Sequence, residues 1–184
     1  MGDGRINETG VWLDRTSHVT DIPFLSFLIN FFGQEKASIY DLGCGGGGYA
    51  KLLKASGLDV ACYDGSPHVS AMSDGLCSTM DLAHPIDLEP RDWVLSLEVG
   101  EHIPSQFEKV FMDNIVKSAK AGLILSWAVP QQKGFGHVNC QTNEYVISEI
   151  ESRGFEHEPE LQKVVREHVS FDYFLRTVMT FKSK

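Results

Sequence analysis

Asp41, Asp64 and Asp81, a run of glycines, and the residues Glu98, Glu101, His102 and His137 are the groups in this chain whose types and spacing could do chemistry. The densest cluster is Asp41-Leu-Gly43-Cys44-Gly45-Gly-Gly47-Gly48. It satisfies Asp-x-Gly-x-Gly-x-Gly, and through Gly43, Gly45 and Gly48 it also satisfies Gly-x-Gly-x-x-Gly. Glycine accepts positive φ and carries no Cβ, so a ligand can approach the bare backbone of such a turn. The second pattern alone is a weak dinucleotide signal. Asp41 points elsewhere, because its carboxylate repels a pyrophosphate but suits an ammonium, or a water bound to one.

The elements around these groups form a simple series. Ile39, Tyr40 and Leu42 suit a buried strand that runs into the glycine turn. Residues 49–57 read as a helix with Gly57 at its carboxyl end. Residues 59–66 read as a second strand, ending in an acid 23 residues after Asp41 (64 − 41). Residues 22–32 form an apolar helix capped by Asp21, with Pro23 in its first turn. Ser105-Gln-Phe-Glu108 has the pattern of a capping box. Phe107, Val110, Phe111 and Ile115 then recur at helical spacing. Residues 123–129 read as a strand, 131–141 as a glycine-bearing loop and 143–153 as a helix stopped by Gly154. A short helix is expected over 161–168 and a last strand over 174–181. Strands alternating with helices imply an α/β fold, with a doubly wound, mostly parallel sheet covered on both faces. Ligands of such sheets lie outside the carboxyl ends of the central strands.

The glycine turn resembles motif I of the class I S-adenosylmethionine-dependent methyltransferases, most like the small type 11 domains. Three further segments extend the resemblance: Asp59 to Ser66, Cys77-Ser-Thr-Met80-Asp81-Leu82, and Trp93-Val-Leu-Ser-Leu-Glu98-Val99-Gly-Glu101-His102-Ile103, which is similar to the family's fourth-strand motif. It covers residues 35–182 of one domain spanning 1–184. It implies a seven-stranded, Rossmann-like methyltransferase sheet with an antiparallel last strand. It also implies S-adenosylmethionine as cofactor. Asp41, Gly43, Cys44, Gly45 and Gly47 would then meet the amino-acid end of the donor. Asp64, Gly65 and Ser66 would meet the ribose, and Met80, Asp81 and Leu82 the adenine. Glu98 and Val99 would line the donor pocket.

Composition narrows the partners. A formal net charge of −9 over 184 residues argues against a broad phosphate-binding surface, hence against nucleic acid. The Asp/Asn-Pro-Pro-Tyr/Phe signature of many nucleic-acid amino methylases is also missing where Glu98-Val-Gly-Glu101 stands. No apolar run reaches a membrane-spanning length. The amino end has no secretory h-region, and Ile6 stands where a myristoylation motif on Gly2 wants Ser or Thr. Cys44, Cys62, Cys77 and Cys140 form no Cys-x-x-Cys pair and read as reduced, buried thiols. The expected compartment is therefore the cytoplasm. No metal site is expected: neither the cysteines nor Glu101, His102 and His137 have ligand-like spacing.

Residues 1–20 are polar, with Trp12 as their one large apolar group, and read as an arm or lid. Acceptor contacts are expected from this arm and from the loops after the fourth and fifth strands: Trp12, His18, His102, Trp127, Phe135 and Asn139. His137, in the loop bearing Gly134 and Gly136, is the expected general base or acceptor-orienting residue. The leading expectation is a methyltransferase acting on a small molecule by in-line transfer. An NAD-linked dehydrogenase would explain the glycines and Asp64, but not Asp81 or the 98–102 segment. A non-catalytic, donor-binding regulatory module is the third reading.

Overall fold

The computed structural model describes residues 5–15 and 18–184. Gly2 and its neighbours, with Thr16 and Ser17 of the expected arm, lie outside the described residues. The first helix, α1 (Ile22–Glu35), starts where Asp21 accepts a hydrogen bond from the Phe24 amide at 3.1 Å. The other oxygen of Asp21 accepts from the amides of Ser170 and Phe171, at 2.7 and 2.9 Å. One buried carboxylate thus caps the helix and ties down a loop near the end of the chain. Phe24, Leu25, Leu28 and Phe32 are the face that α1 buries.

The chain continues through β1 (Ser38–Leu42), α2 (Gly48–Ala55), β2 (Asp59–Asp64), α3 (Val69–Met72), β3 (Ser78–Thr79) and β4 (Arg91–Leu97). Then follow α4 (Glu108–Lys117), β5 (Ala119–Ser126), α5 (Asn143–Glu151), β6 (Phe155–His157), α6 (Pro159–Glu167), α7 (Phe174–Thr177) and β7 (Val178–Ser183). The seven strands form one sheet in the order β3-β2-β1-β4-β5-β7-β6. β7 runs antiparallel to both β5 and β6, and the other pairings are parallel. The expected sheet and its antiparallel last strand are therefore present. One apolar layer packs α1, α2 and α7 against one face, around Phe24, Leu53, Trp93 and Phe174. The other packs α4 and α5 around Phe111, Met112, Trp127, Val146 and Phe181. Strand order reverses between β1 and β4, so their carboxyl ends diverge and leave a crevice there.

Several expectations are corrected. Residues 174–177 are helical and the last strand starts only at Val178. β6 had no counterpart in the sequence reading, because three residues are too few to show alternation. The Ser105 capping box does not form. Residues 105–107 make a 3₁₀ turn without a side-chain cap, and the Glu108 carboxylate bonds to Asn139, Gln141 and Tyr145 instead. The cysteines are not all thiols: Cys62 and Cys77 are joined in a disulfide. The parallel register pairs Tyr63 with Ser78, which sets the two preceding residues side by side with Cα atoms 4.8 Å apart. Spacing along the chain could not reveal a contact made across two strands. No helix among the described residues is long and apolar enough to cross a membrane.

Candidate active site

A cavity of about 460 Å³ opens at the carboxyl ends of β1, β2 and β4. Its floor is the glycine turn. Gly43, Gly45 and Gly47 have φ of 84°, 55° and 77°, which an L side chain adopts only with strain. The turn is held from below, where the amides of Gly43 and Cys44 donate to the Tyr63 carbonyl at 2.8 and 3.0 Å. Cβ atoms here would also strike neighbours: Val99 at Gly43 and the His18 ring at Gly45.

Two acids stand at this floor. Asp64 accepts from the Gly45 amide and from the Ser66 amide, both at 2.8 Å. One bond goes to each oxygen, and each keeps a lone pair for a ligand hydroxyl. Burial raises its pKa, while those two amides pull the other way. Asp41 is 4% exposed, and its Oδ2 has no hydrogen-bond partner. Burial, then the charge of Asp64, push its pKa up to about 7. An orphaned carboxylate oxygen beside a cavity calls for a donor from a ligand. Cys44, beside them, has its thiol pushed far up by burial and by both aspartates, so it is no nucleophile.

The amino-terminal arm lies across the mouth. Thr9 Oγ1 donates to Asp81 Oδ2 at 2.8 Å, while the Ala83 amide donates to Oδ1 at 2.9 Å. Val11 packs where Gly65 lacks a Cβ, and an isolated bridge between Ile6 and Trp12 folds the arm back on itself. Trp12 meets His102, Phe135 and His18 at ring-centroid distances of 5.6, 5.3 and 6.2 Å. These four side chains line the cavity together with His137 and Glu98.

The structure thus gathers most of the sequence-derived candidates in one place. Asp41, Gly43, Cys44, Gly45, Asp64, Gly65, Asp81, Leu82, Glu98 and Val99 all line the cavity. Ser66 and Met80 are each next in the chain to a lining residue, and Gly47 lies two residues from Gly45, but none of the three is part of the lining. Trp127 and Asn139 are placed elsewhere. Trp127 is 2% exposed, fills the space beside Gly100 and donates from its indole to the Asn139 carbonyl at 2.7 Å. The Asn139 side chain donates to Glu108 at 2.8 Å. Both therefore anchor the loop that follows β5 rather than face a ligand. Tyr145, Gln141 and Glu108 complete that anchor. The sequence offers Glu108 only as a capping-box residue and singles out neither Gln141 nor Tyr145, because no local pattern marks a buried polar hub. Gln132, Tyr173 and Phe174 also line the cavity; a loop delivers Gln132, while Tyr173 and Phe174 open the one-turn helix α7 where the sequence suggests a strand.

An open sheet in this order, a lone antiparallel strand and a ligand crevice at the β1/β4 switch define the fold of the class I methyltransferases. Solved structures agree with this. Magnesium protoporphyrin IX methyltransferase from Synechocystis, with bound S-adenosylhomocysteine, superposes with a TM-score of 0.68 at 15% identity, over 92% of this chain and 90% of that one. A TehB-like S-adenosylmethionine-dependent methyltransferase from Corynebacterium glutamicum gives 0.65 at 18% identity, over 90% and 89%. The N-methyltransferase NodS from Bradyrhizobium japonicum gives 0.64 at 14%, over 87% and 85%. No protein-family model matches the sequence, and no curated protein matches it.

Proposed function

We propose that this protein is an S-adenosylmethionine-dependent methyltransferase for a small-molecule acceptor, acting as one domain. The observation that carries the proposal is the unpartnered Oδ2 of buried Asp41 beside the glycine turn, with the amide-held carboxylate of Asp64 across it. Such a floor fits a ligand with an ammonium at one end and ribose hydroxyls at the other. It does not fit the pyrophosphate of NAD, which would sit against two buried carboxylates. S-adenosylmethionine, when bound, supplies an electrophilic methyl group on a sulfonium.

The chain's own contribution is placement. Asp41 would take the ammonium, Asp64 the ribose, and Asp81 the adenine edge with the lone pairs that Thr9 and Ala83 leave. Alignment of the reacting atoms can supply much of such a rate enhancement. The arm and the ring cluster of Trp12, His18, His102 and Phe135 narrow the mouth on the acceptor side. His137 Nδ1 lies 3.1 Å from the Gln132 carbonyl, which assigns the proton to Nδ1 and leaves the Nε2 lone pair for the acceptor side. His137 therefore takes a proton from the acceptor or orients it. The formal net charge of −9 and the arm lying across the cavity mouth support a small acceptor over nucleic acid.

Titration calorimetry with S-adenosylhomocysteine and with NADH separates the two nucleotide readings. Labelled donor incubated with cell extract then yields the methylated product. Binding of NADH alone overturns the proposal. Donor binding without any labelled product would favour the regulatory-module reading.

A further inference from the structure

Beside the donor floor lies a group that methyl transfer to a neutral acceptor does not require. Glu101 sits on a 3₁₀ turn, Gly100–His102, just after β4, and its side chain is fully buried. Neither of its carboxylate oxygens has a hydrogen-bond partner among the described residues. Leaving a charged group buried and unpaired costs several kcal/mol. Glu98 makes the deficit worse, because its carboxylate lies against that of Glu101. Glu98 is itself steadied by Gln132 Nε2 at 2.7 Å and Thr177 Oγ1 at 3.2 Å. Two carboxylates facing one another in a buried site call for a positive partner.

Two imidazoles complete the group. His137 Nε2 lies 3.9 Å from Glu101 Oε1. One ligand atom each from Glu101, His102 and His137 falls within 4.8 Å of the others. Both rings are set up alike. His102 Nδ1 lies 3.0 Å from the Gly136 carbonyl and His137 Nδ1 lies 3.1 Å from that of Gln132. Carbonyl partners fix the proton on Nδ1 and turn the Nε2 lone pair outward, the arrangement found in histidines that ligate metals. The loop is built to deliver His137. The amides of Val138 and Asn139 donate to the Glu101 carbonyl at 2.9 and 3.0 Å, and Gly134 has no Cβ where the His137 ring lies.

We propose that Glu101, His102 and His137 bind a divalent transition-metal ion at the acceptor end of the cavity. Imidazole with carboxylate suits manganese, cobalt, iron or zinc, and disfavours magnesium and calcium, which take oxygen ligands. Ligands about 2.1 Å from one ion lie roughly 3 to 3.4 Å apart in octahedral or tetrahedral geometry, so the cage closes on its ion by side-chain adjustment. Three protein ligands leave positions open. Since Glu98, His102 and His137 line the cavity that also holds Asp41 and Asp64, an open position faces the acceptor. A hydroxyl bound to such an ion would lose its proton more readily. The proton would pass to the Glu98 carboxylate in the same cavity and on to solvent. The oxygen takes the methyl group as the methyl's bond to the sulfonium breaks and a neutral thioether leaves. The site therefore selects an acceptor that presents a hydroxyl oxygen, and His137 orients it through the ion. That last step rests on the methyltransferase reading; the metal site does not.

The test uses metal alone. Protein stripped with chelator is titrated with Co²⁺, followed by its visible absorption bands, and with Mn²⁺, followed by loss of its free-ion electron paramagnetic resonance signal. One equivalent should bind. His137→Ala and Glu101→Gln should each weaken binding by more than the roughly 10- to 100-fold that loss of a mere outer-shell partner costs. S-adenosylhomocysteine titrated into the same variants reports folding and donor affinity separately, so a failed donor reading and a failed metal site are distinguishable. If Glu101→Gln does not fold, His137→Ala and His102→Ala carry the test. No binding by wild type at millimolar metal overturns the proposal, as does equal binding by wild type and the histidine variants.

Discussion

Protonation of Asp41 gives the sharpest test of the donor site. Its pKa stands at about 7 in the folded protein, against an ordinary 3.8, because it is buried and Asp64 lies close by. A raised carboxyl pKa means that the ligand-free fold is most stable below the ordinary value and loses stability as pH rises through about 7. An ammonium placed at Oδ2 reverses the preference, since it favours the ionised form. Binding must then expel the proton wherever Asp41 still carries it. At pH 6, with a pKa of about 7, roughly 0.9 proton should leave per ligand bound. Affinity should rise tenfold per pH unit up to 7 and then level. Between pH 5 and pH 8 the gain is roughly 90-fold, or about 2.7 kcal/mol. Titration calorimetry with S-adenosylhomocysteine, in two buffers of different ionisation enthalpy, counts the protons. Asp41→Asn should flatten the pH profile and weaken binding at pH 8. Release of under about 0.2 proton at pH 6, with affinity flat across the range, would refute an ammonium at Asp41.

Three more outcomes are expected. Asp64→Ala should weaken S-adenosylhomocysteine binding by about 1–3 kcal/mol, the scale of a lost charge-assisted hydrogen bond; calorimetry showing unchanged affinity in the folded variant removes the ribose assignment. Gly45→Val places a Cβ 2.7 Å from His18 Cδ2 at φ 55°, so it should abolish detectable donor binding while the far-ultraviolet circular dichroism of the sheet persists. Cys77→Ser opens a disulfide with a sequence separation of 15, which should cost about 3 kcal/mol in urea denaturation without reductant. Reductant should lower the wild type to the same level and leave the variant unmoved.

Legibility in the sequence followed the range of the interactions. The β1–turn–α2 unit and the acid at the end of β2 were readable because short apolar runs abut glycine, and a turn that needs positive φ leaves its mark on successive residues. The β3 acid and the Glu98–His102 segment were readable only as part of an ordered series. What escaped depends on the chain returning to itself. Trp127 looks like an acceptor cage until the indole is seen to hold the Asn139 carbonyl. Glu108 looks like a helix cap until three later residues converge on it. Glu101, His102 and His137 look unrelated by spacing, and meet only because two loop amides bond to one carbonyl. Cys62 and Cys77 likewise meet through strand register.

The hydroxyl of Thr9 resting on Asp81 has a consequence for traffic. If the adenine edge shares that carboxylate, the nucleoside is threaded beneath a segment already latched down and does not settle on an open shelf. Exchange of spent for fresh nucleoside then requires the latch to lift. A Thr9→Val protein, losing the bond but keeping the bulk, should release its product faster even where the chemical step is untouched.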